Sequence, residues 1–469
     1  MHTSTTSTVA LVPWSAQQLE QATQGRWYLD RIPSHPIKRI LTDSRHAEAG
    51  DAFLALKGER FDARNFVPQV AKQGCQVAIV SEPIENLDIC QLIVADTRLA
   101  LGHLGAYRRR EYPQLKVIAL TGSSGKTTVK EMLGSILSRC APTLVTRGNL
   151  NNDLGVPMML LELNADHQYA VMELGASHAG EIDYTAQMVQ PHVAGILNIG
   201  TAHLGEFGGR DGICRAKSEI YAHIQANGTA IVPAADDYTA QITEAVVSKQ
   251  RLSFGEGGDV YASDIELLAQ SSRFVLHTPV GHRQLELPFA GLHNVHNAEA
   301  ATAFALAIGV GLEQIIDGLV AAKNAQGRLN FIYKRNTLFI DDTYNANPSS
   351  MRAAAQVLTQ QAGFKVMVMG DIGELGDASE QEHHDLGRDI STLALDAVIA
   401  VGAYAIQTAA GAASNSAQNN IHAFATQADA LKYLIQLIDQ HQHQQMSFLF
   451  KGSRFTHMET LMTDLMEKF

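Results

Sequence analysis

The sequence predicts a mixed α/β fold laid out in three blocks, and three observations carry that reading. With 469 residues the chain is too long for one compact core. Between Val117 and Leu137 a short apolar run passes through a Gly/Ser turn into a pattern of helical period. Beyond Gly327 buried-strand runs alternate with helical patterns, the order of a doubly wound parallel sheet.

In chain order, the first block, residues 1–113, sets short apolar runs at Ala52 to Leu56, Val77 to Val80 and Leu92 to Val94 between turn signals, as in a small α/β domain. It closes in Tyr107-Arg108-Arg109-Arg110-Glu111-Tyr112-Pro113, a basic, proline-terminated stretch that reads as a helix end and linker. The second block, residues 114–326, opens with the strand Val117 to Leu120 and a helix carrying Val129, Met132, Leu133, Ile136 and Leu137 on one face. Tyr169 to Met172 and Val193 to Ile199 are further strand runs, each ending in polar residues. From Thr229 to Pro288 polar and apolar residues alternate between Gly-rich turns such as Gly255 to Gly258, which predicts an antiparallel β subregion beside a mostly parallel sheet. In the third block, residues 327–469, Thr337 to Ile340, Lys365 to Met369, Ala397 to Val401 and Ser447 to Phe450 read as buried strands of a Rossmann-like domain.

Composition narrows the function classes. Acidic residues outnumber basic ones 48 to 36, a net charge of −12, which argues against a nucleic-acid or acidic-membrane partner. Any anionic ligand must be held by local donors. Cys75, Cys90, Cys140 and Cys214 are scattered, without CxxC spacing, and read as buried small hydrophobes in a reduced cytosol. The N-terminal stretch lacks a basic region followed by a long apolar one, so a cytoplasmic protein is expected. The apolar stretch Ala300 to Leu312 is too short for a bilayer span, so no membrane insertion is expected. His441 and His443, in the Gln/His run Gln440 to Gln445, read as a solvated helix end in preference to a metal site.

The chemistry begins at Thr121-Gly122-Ser123-Ser124-Gly125-Lys126-Thr127-Thr128, between the strand and the helix. Backbone N–H groups at a helix start face an anion, and Gly122 and Gly125 let the main chain approach phosphate oxygens closely. Lys126 adds a mobile positive charge, and Thr127 offers a hydroxyl to a phosphate-bound magnesium ion. Leu120 stands where the longer phosphate-loop pattern has its first glycine, so this is the shorter TGxxGKT form.

Polar residues at the carboxyl ends of strands are the next candidates. Glu173 follows Tyr169 to Met172, and His203 follows Val193 to Ile199. Glu173 would complete a magnesium shell or cap a helix; His203 would assist a metal or make a structural hydrogen bond. Lys217, taken alone, reads as a helix-surface lysine. Asn294 and Asn297, three apart on the first turn of an Ala-rich helix, serve as caps or reach a nucleotide. Arg328, after Gly327 at a block junction, is placed to meet phosphate as domains close.

Together TGSSGKTT, MELGAS, NIGTAHL, RAKSEI, GLHNVHNAEAA, GRL and DDTYNANPSSM resemble the Mur ligase family of ATP-dependent amide-bond ligases over nearly the whole chain. The segments Asp342 to Met351 and Gly370 to Gly376 are similar to the MurF branch of that family, and the Asp-Asn-Pro-Arg motif of the MurE branch is absent. Thr42-Asp43-Ser44-Arg45 with Gly50 to Glu59 resembles a UDP-binding N-terminal domain. One departure is Asp62-Ala63-Arg64, where many relatives carry Asp-Gly-His.

The resemblance implies a UDP-binding domain, a central P-loop ATPase domain and a C-terminal ligase domain, with ATP and Mg2+ as cofactors. Its implied substrates are UDP-MurNAc-tripeptide and D-Ala-D-Ala. Lys126, Glu173, His203 and Lys217 would be catalytic. Thr127, Glu173, His203 and a carbamylated Lys217 would hold metal. The loop Gly122 to Thr128 would bind nucleotide with Asn294, Asn297, Arg328 and Asp342. Ser44 and Arg45 would hold the uridine diphosphate, and Tyr344, Asn345 and Asn347 the remaining substrate. Lys451-Gly452-Ser453-Arg454 would contact the dipeptide or assist closure. A monomer is expected. Two other readings stay open: a family ligase with a different acceptor, and a nucleotide-binding scaffold without catalysis.

Overall fold

The computed structural model describes residues 12–58, 61–201, 204–414 and 420–468. The chain divides into two compact units, Met1–Ala119, Ala141–Gly175 and Glu181–Pro191 in the first, and Leu120–Cys140, Ala176–Gly180 and His192–Phe469 in the second.

In the first unit, strands β1 (Arg26–Trp27), β2 (Ile40–Leu41), β3 (Ala52–Leu54), β4 (Val77–Val80) and β5 (Cys90–Ile93) form a sheet of order β1-β5-β4-β3-β2. All pairs are parallel except β1 with β5. The alternation of β4 explains its place at the centre: Val77 and Ile79 enter one core, Ala78 and Val80 the other. β1 and β2, two residues each, are too short for a periodic signal, and the sequence reading lacks them.

The helix Thr97–Arg110 is capped by Asp96, which accepts from the N–H groups of Arg98 and Leu99. The helix end expected there falls at Arg110, and two of its three arginines staple it in place. Arg109 is buried and donates to the carbonyls of Val189, Tyr112 and Gln190, while the buried Arg108 donates to Val12 O and to Glu111. β6 (Lys116–Thr121) starts in the first unit and ends in the second, and β7 (Thr143–Val145) pairs in parallel with β8 (Tyr169–Glu173).

In the second unit the helix Lys126–Cys140 buries Val129, Met132, Leu133, Ile136 and Leu137, the face expected from the sequence. β9 (Val193–Ile196), β10 (Thr229–Pro233) and β11 (Gln250–Phe254) are parallel neighbours. That corrects the reading of Thr229 to Pro288 as antiparallel throughout. Every residue of β10 is buried, the mark of a strand covered on both faces, and the helix Thr239–Glu244 carries the crossover to β11. Only β12 (Tyr261–Leu267), β13 (Ser272–Thr278) and β14 (Gly281–Leu287) make the antiparallel sheet. Ala300 to Leu312 is likewise two elements: one helix ends at Ala307 and the next begins at Leu312.

The last sheet has the order β15-β16-β20-β17-β18-β19, from β15 (Asn330–Lys334), β16 (Thr337–Asp341), β17 (Phe364–Gly370), β18 (Ala397–Val401), β19 (Ile421–Phe424) and β20 (Met446–Lys451). It is parallel but for β15, which is antiparallel to β16. Leu338, Ile340, Met367, Met369 and Leu449 fill one core; Phe339, Val366, Val368, Phe448 and Phe450 fill the other. The sheet is therefore doubly wound, as expected. The edge strands β15 and β19 have no fully buried residue and so no strong apolar signature.

Cys75 and Cys214 are buried as expected, but Cys90 is half-buried and Cys140 exposed at a helix end. No helix among the described residues is long and apolar enough to cross a membrane.

Candidate active site

The loop Gly122-Ser123-Ser124-Gly125 joins the end of β6 to the start of the helix Lys126–Cys140, so the N-terminus of that helix opens onto the loop. Asn198, two residues beyond β9, braces it. Ser123 N donates to Asn198 O (3.2 Å) and Ser124 N to Asn198 Oδ1 (2.9 Å), while Asn198 Nδ2 donates to Ser124 O (3.1 Å). Gly200 N adds a bond to Ser123 Oγ at 2.9 Å. Sequence reasoning missed Asn198; its signal is an amide inside NIGTAHL, at a strand's carboxyl end. Lys126 Nζ donates to Gly122 O at 2.7 Å, folding the cation over its own loop. Thr127 and Thr128 follow in the first helical turn.

Asn294 and Asn297 are buried in the helix Leu292–Ala307 and form a directed chain of amides. Asn294 Nδ2 donates to Ala290 O (2.8 Å), and Asn297 Nδ2 to Asn294 Oδ1 (3.0 Å). They do not cap the helix, whose N-cap is Gly291 with no side-chain bond. Asn297 Oδ1 instead lies where a side chain on Gly125 would begin, 2.3 Å from an ideal Cβ there. Gly125 also has φ +81°, a backbone state unfavourable to other residues. Gly125→Ala is therefore expected to weaken nucleotide binding about tenfold or more, because clash and strain of about 1–3 kcal/mol displace the loop. Calorimetry with ADP checks this, and unchanged affinity would contradict the geometry.

Lys217 is not on a helix surface. It is buried in the helix Arg210–Ser218, and burial, with the like charge of Lys126 adding to it, pushes its pKa down to about 7. An amine near neutrality is half free base at physiological pH. Lys126 and Lys217 thus belong to one electrostatic site.

At the carboxyl edge of the last sheet, Asp342 and Lys451 form a buried ion pair of 2.6 Å. Asp342 Oδ1 also accepts from Leu329 N (3.2 Å), and Lys451 Nζ donates to Asn345 O (2.9 Å). Burial holds the Lys451 pKa below the ordinary lysine value, with Asp342 opposing part of that shift. The two groups pin the loop after β16 to the end of β20. Arg328 stacks over the Tyr344 ring, 4.6 Å to the centroid, and its Nε is buried without a hydrogen-bond partner. Asn345 is exposed, its Oδ1 accepting from Ala346 N. Asn347 caps the helix Pro348–Thr359 and reaches the phosphate loop: Nδ2 donates to Ser124 Oγ (3.0 Å) and Ser123 O (3.3 Å).

In the first unit Glu173 is buried at the end of β8. Asn151 Nδ2 donates to its Oε1 (2.7 Å), and its N–H donates to Thr146 Oγ1 (3.0 Å), so the carboxylate is aimed by its neighbours. The Asn-rich run Asn149-Leu150-Asn151-Asn152 was the available signal for Asn151. Ser44 is buried in a short helical turn that Asp43 caps, whereas Arg45 is exposed and folded back on Asp43. Those hydrogen bonds hold the Asp43 carboxyl well below the usual range. His203 lies outside the described residues.

Residues 120–305 match the family description "Mur ligase middle domain", and residues 327–454 match "Mur ligase, glutamate ligase domain". The UDP-N-acetylmuramoyl-tripeptide–D-alanyl-D-alanine ligase of Escherichia coli K12 is 42% identical over 437 residues, covering 92% of this chain and 94% of the relative. The ligase of the same name from Haemophilus influenzae is 38% identical over 98% of this chain and 99% of its own. Among solved structures, MurF from Acinetobacter baumannii superposes with a TM-score of 0.95 at 72% identity, covering 98% of this chain and all of the other. MurF from Thermotoga maritima, solved with ADP, gives 0.82 at 27% identity over 92% and 98%.

Proposed function

Because the chain belongs to the Mur ligase family and its matched relatives run along more than nine-tenths of its length, we propose that it works as a MurF-type ligase. It adds D-alanyl-D-alanine to UDP-N-acetylmuramoyl-tripeptide, with ATP cleaved to ADP and phosphate, in peptidoglycan precursor synthesis. The observation that carries the reading is the phosphate loop itself, set between the end of β6 and the helix that Lys126 starts and braced by Asn198, with a second lysine, Lys217, buried in the same unit. A plain ATP-binding turn has no need of a second, deprotonatable lysine.

A carboxylate resists attack by an amine, so the tripeptide carboxylate first takes the γ-phosphoryl group as an acyl phosphate and ADP leaves. The dipeptide amine then attacks the acyl carbon, and the tetrahedral intermediate expels phosphate. Catalysis of this kind is positioning and charge neutralisation. Lys126 and the N–H groups from Gly125 to Thr128 receive the phosphates, on a loop whose Ser123 and Ser124 N–H groups are held by Asn198. Asn297 keeps the loop's glycine face open, with Asn294 behind it, and Arg328 and Asp342 lie toward the nucleotide. Tyr344 and Asn345 face the acceptor side, while Ser44 and Arg45 hold the uridine diphosphate.

Thr127, Glu173, His203 and Lys217 would hold Mg2+. The oriented, buried carboxylate of Glu173 and the hydroxyl of Thr127 are the oxygen donors this cation prefers. Lys217 fits if its free amine adds CO2 with loss of a proton, which turns it into a carbamate. When bound, the ion supplies charge stabilisation to phosphate oxygens. Domain limits at residues 1–113, 114–326 and 327–469, a cytoplasmic location and a monomer complete the proposal.

Phosphate release from ATP and UDP-MurNAc-tripeptide tests it. Release is expected with D-Ala-D-Ala and not with glutamate or other single amino acids. Turnover with a single amino acid alone would overturn the acceptor assignment, and silence with every acceptor would leave a nucleotide-binding scaffold.

A further inference from the structure

Asn347 divides its amide between two tasks. Its oxygen belongs to a helix: Oδ1 accepts from Ser350 N (2.8 Å) and Ser349 Oγ (2.9 Å), and Ser350 Oγ accepts from Asn347 N (3.0 Å), closing a capping box. Its nitrogen belongs to the phosphate loop, through the donations to Ser124 Oγ and Ser123 O. The orientation of the amide follows from chemistry, since Ser350 N–H can only donate and Ser123 C=O can only accept. Nearby, Ser349 Oγ lies 3.4 Å from Ser124 Oγ, and an ideal Cβ on Gly200 would stand 3.9 Å from Ser349 Oγ. The start of the helix Pro348–Thr359 is therefore seated on the loop, and one side chain both starts that helix and joins it to the loop.

We infer that Asn347 is a positioning residue that locks the β16 loop onto the phosphate loop, so that the acceptor side of the site is aligned with the acyl phosphate. The inference rests on the ligase reading for its consequence, but the lock itself is a contact independent of substrate. Asn198 takes the N–H groups of Ser123 and Ser124 and donates to Ser124 O, while Asn347 donates to Ser123 O and Ser124 Oγ, atoms Asn198 does not use. The loop is thus gripped by two asparagines, one after β9 and one after β16. A ligand held by the second grip keeps register with phosphates held by the first.

The two amide atoms can be separated by substitution. Asn347→Ser keeps a good N-cap but is too short to reach the loop, whereas Asn347→Ala loses both functions. Asn347→Asp keeps the cap and sets a carboxylate against Ser123 O and the incoming phosphates. The lock predicts faster hydrogen exchange in residues 117–130 of the serine variant, with the melting temperature within about 1 °C of wild type. It predicts kcat down about tenfold or more for serine, which loses both donations to the loop, and a larger fall for aspartate, whose N-cap is as good. Wild-type exchange of the loop in the serine variant would overturn the inference, as would an aspartate variant as active as wild type. Faster exchange in a chain that turns over no acceptor would sustain the lock while refuting the ligase reading.

Discussion

Lys126→Ala is expected to lower kcat by about 10³-fold, the scale of losing one preorganised charge on a developing oxyanion. The side chain begins the helix whose N-terminus faces the loop, and in this structure its ammonium rests on Gly122 O, from where it can swing onto phosphate. Fold stability should change by about 1 kcal/mol or less, since no core packing is removed. A second signature is specific to this site. The charge of Lys126 helps depress the Lys217 pKa, so its removal raises that pKa toward the ordinary lysine value. The acid limb of residual activity should then move to higher pH. Single-turnover phosphate release across pH measures both effects, and a variant within threefold of wild type would remove Lys126 from the phosphate site.

Lys217→Met, which keeps the buried stem and deletes the amine, is expected to cost on the order of 10²–10³-fold in kcat. In the wild type the proposed carbamate is expected to make activity depend on dissolved CO2. Below about pH 7 the amine is protonated and cannot attack CO2; above it the free base predominates and the carbamate forms. Incubation at pH 6 in CO2-free buffer should therefore inactivate the enzyme, and bicarbonate at pH 8 should restore it. The methionine variant should not respond to bicarbonate. Full activity after CO2 removal would refute the carbamate, and a methionine variant near wild type would remove Lys217 altogether.

What the sequence discloses here depends on how far apart the interacting residues lie. The phosphate loop was legible because strand, turn and helix are contiguous. The core alternation of β16, β17, β18 and β20 was legible because each strand is buried on both faces. Lys217 was misjudged because a lysine on a helix defaults to the surface. Ile213, one helical turn earlier on the same face and buried, was the contrary sign. Asn347 as a partner of Ser124 could not be foreseen, because the bond spans 223 positions. The boundary of the antiparallel region fails for a local reason: the uninterrupted burial of β10 precedes an alternation that starts only at β13.

The position of β20 also sets an order of assembly. It is the last of the six strands to leave the ribosome, yet it hydrogen-bonds between β16 and β17, in the middle of their sheet. Until residues 446–451 emerge, β16 and β17 each present an open edge, and Asp342 has no Lys451 to neutralise it. A nascent chain therefore carries the open edge of β16 across residues 342–445 and that of β17 across residues 371–445, and the interval in which a chaperone is most needed ends with one strand.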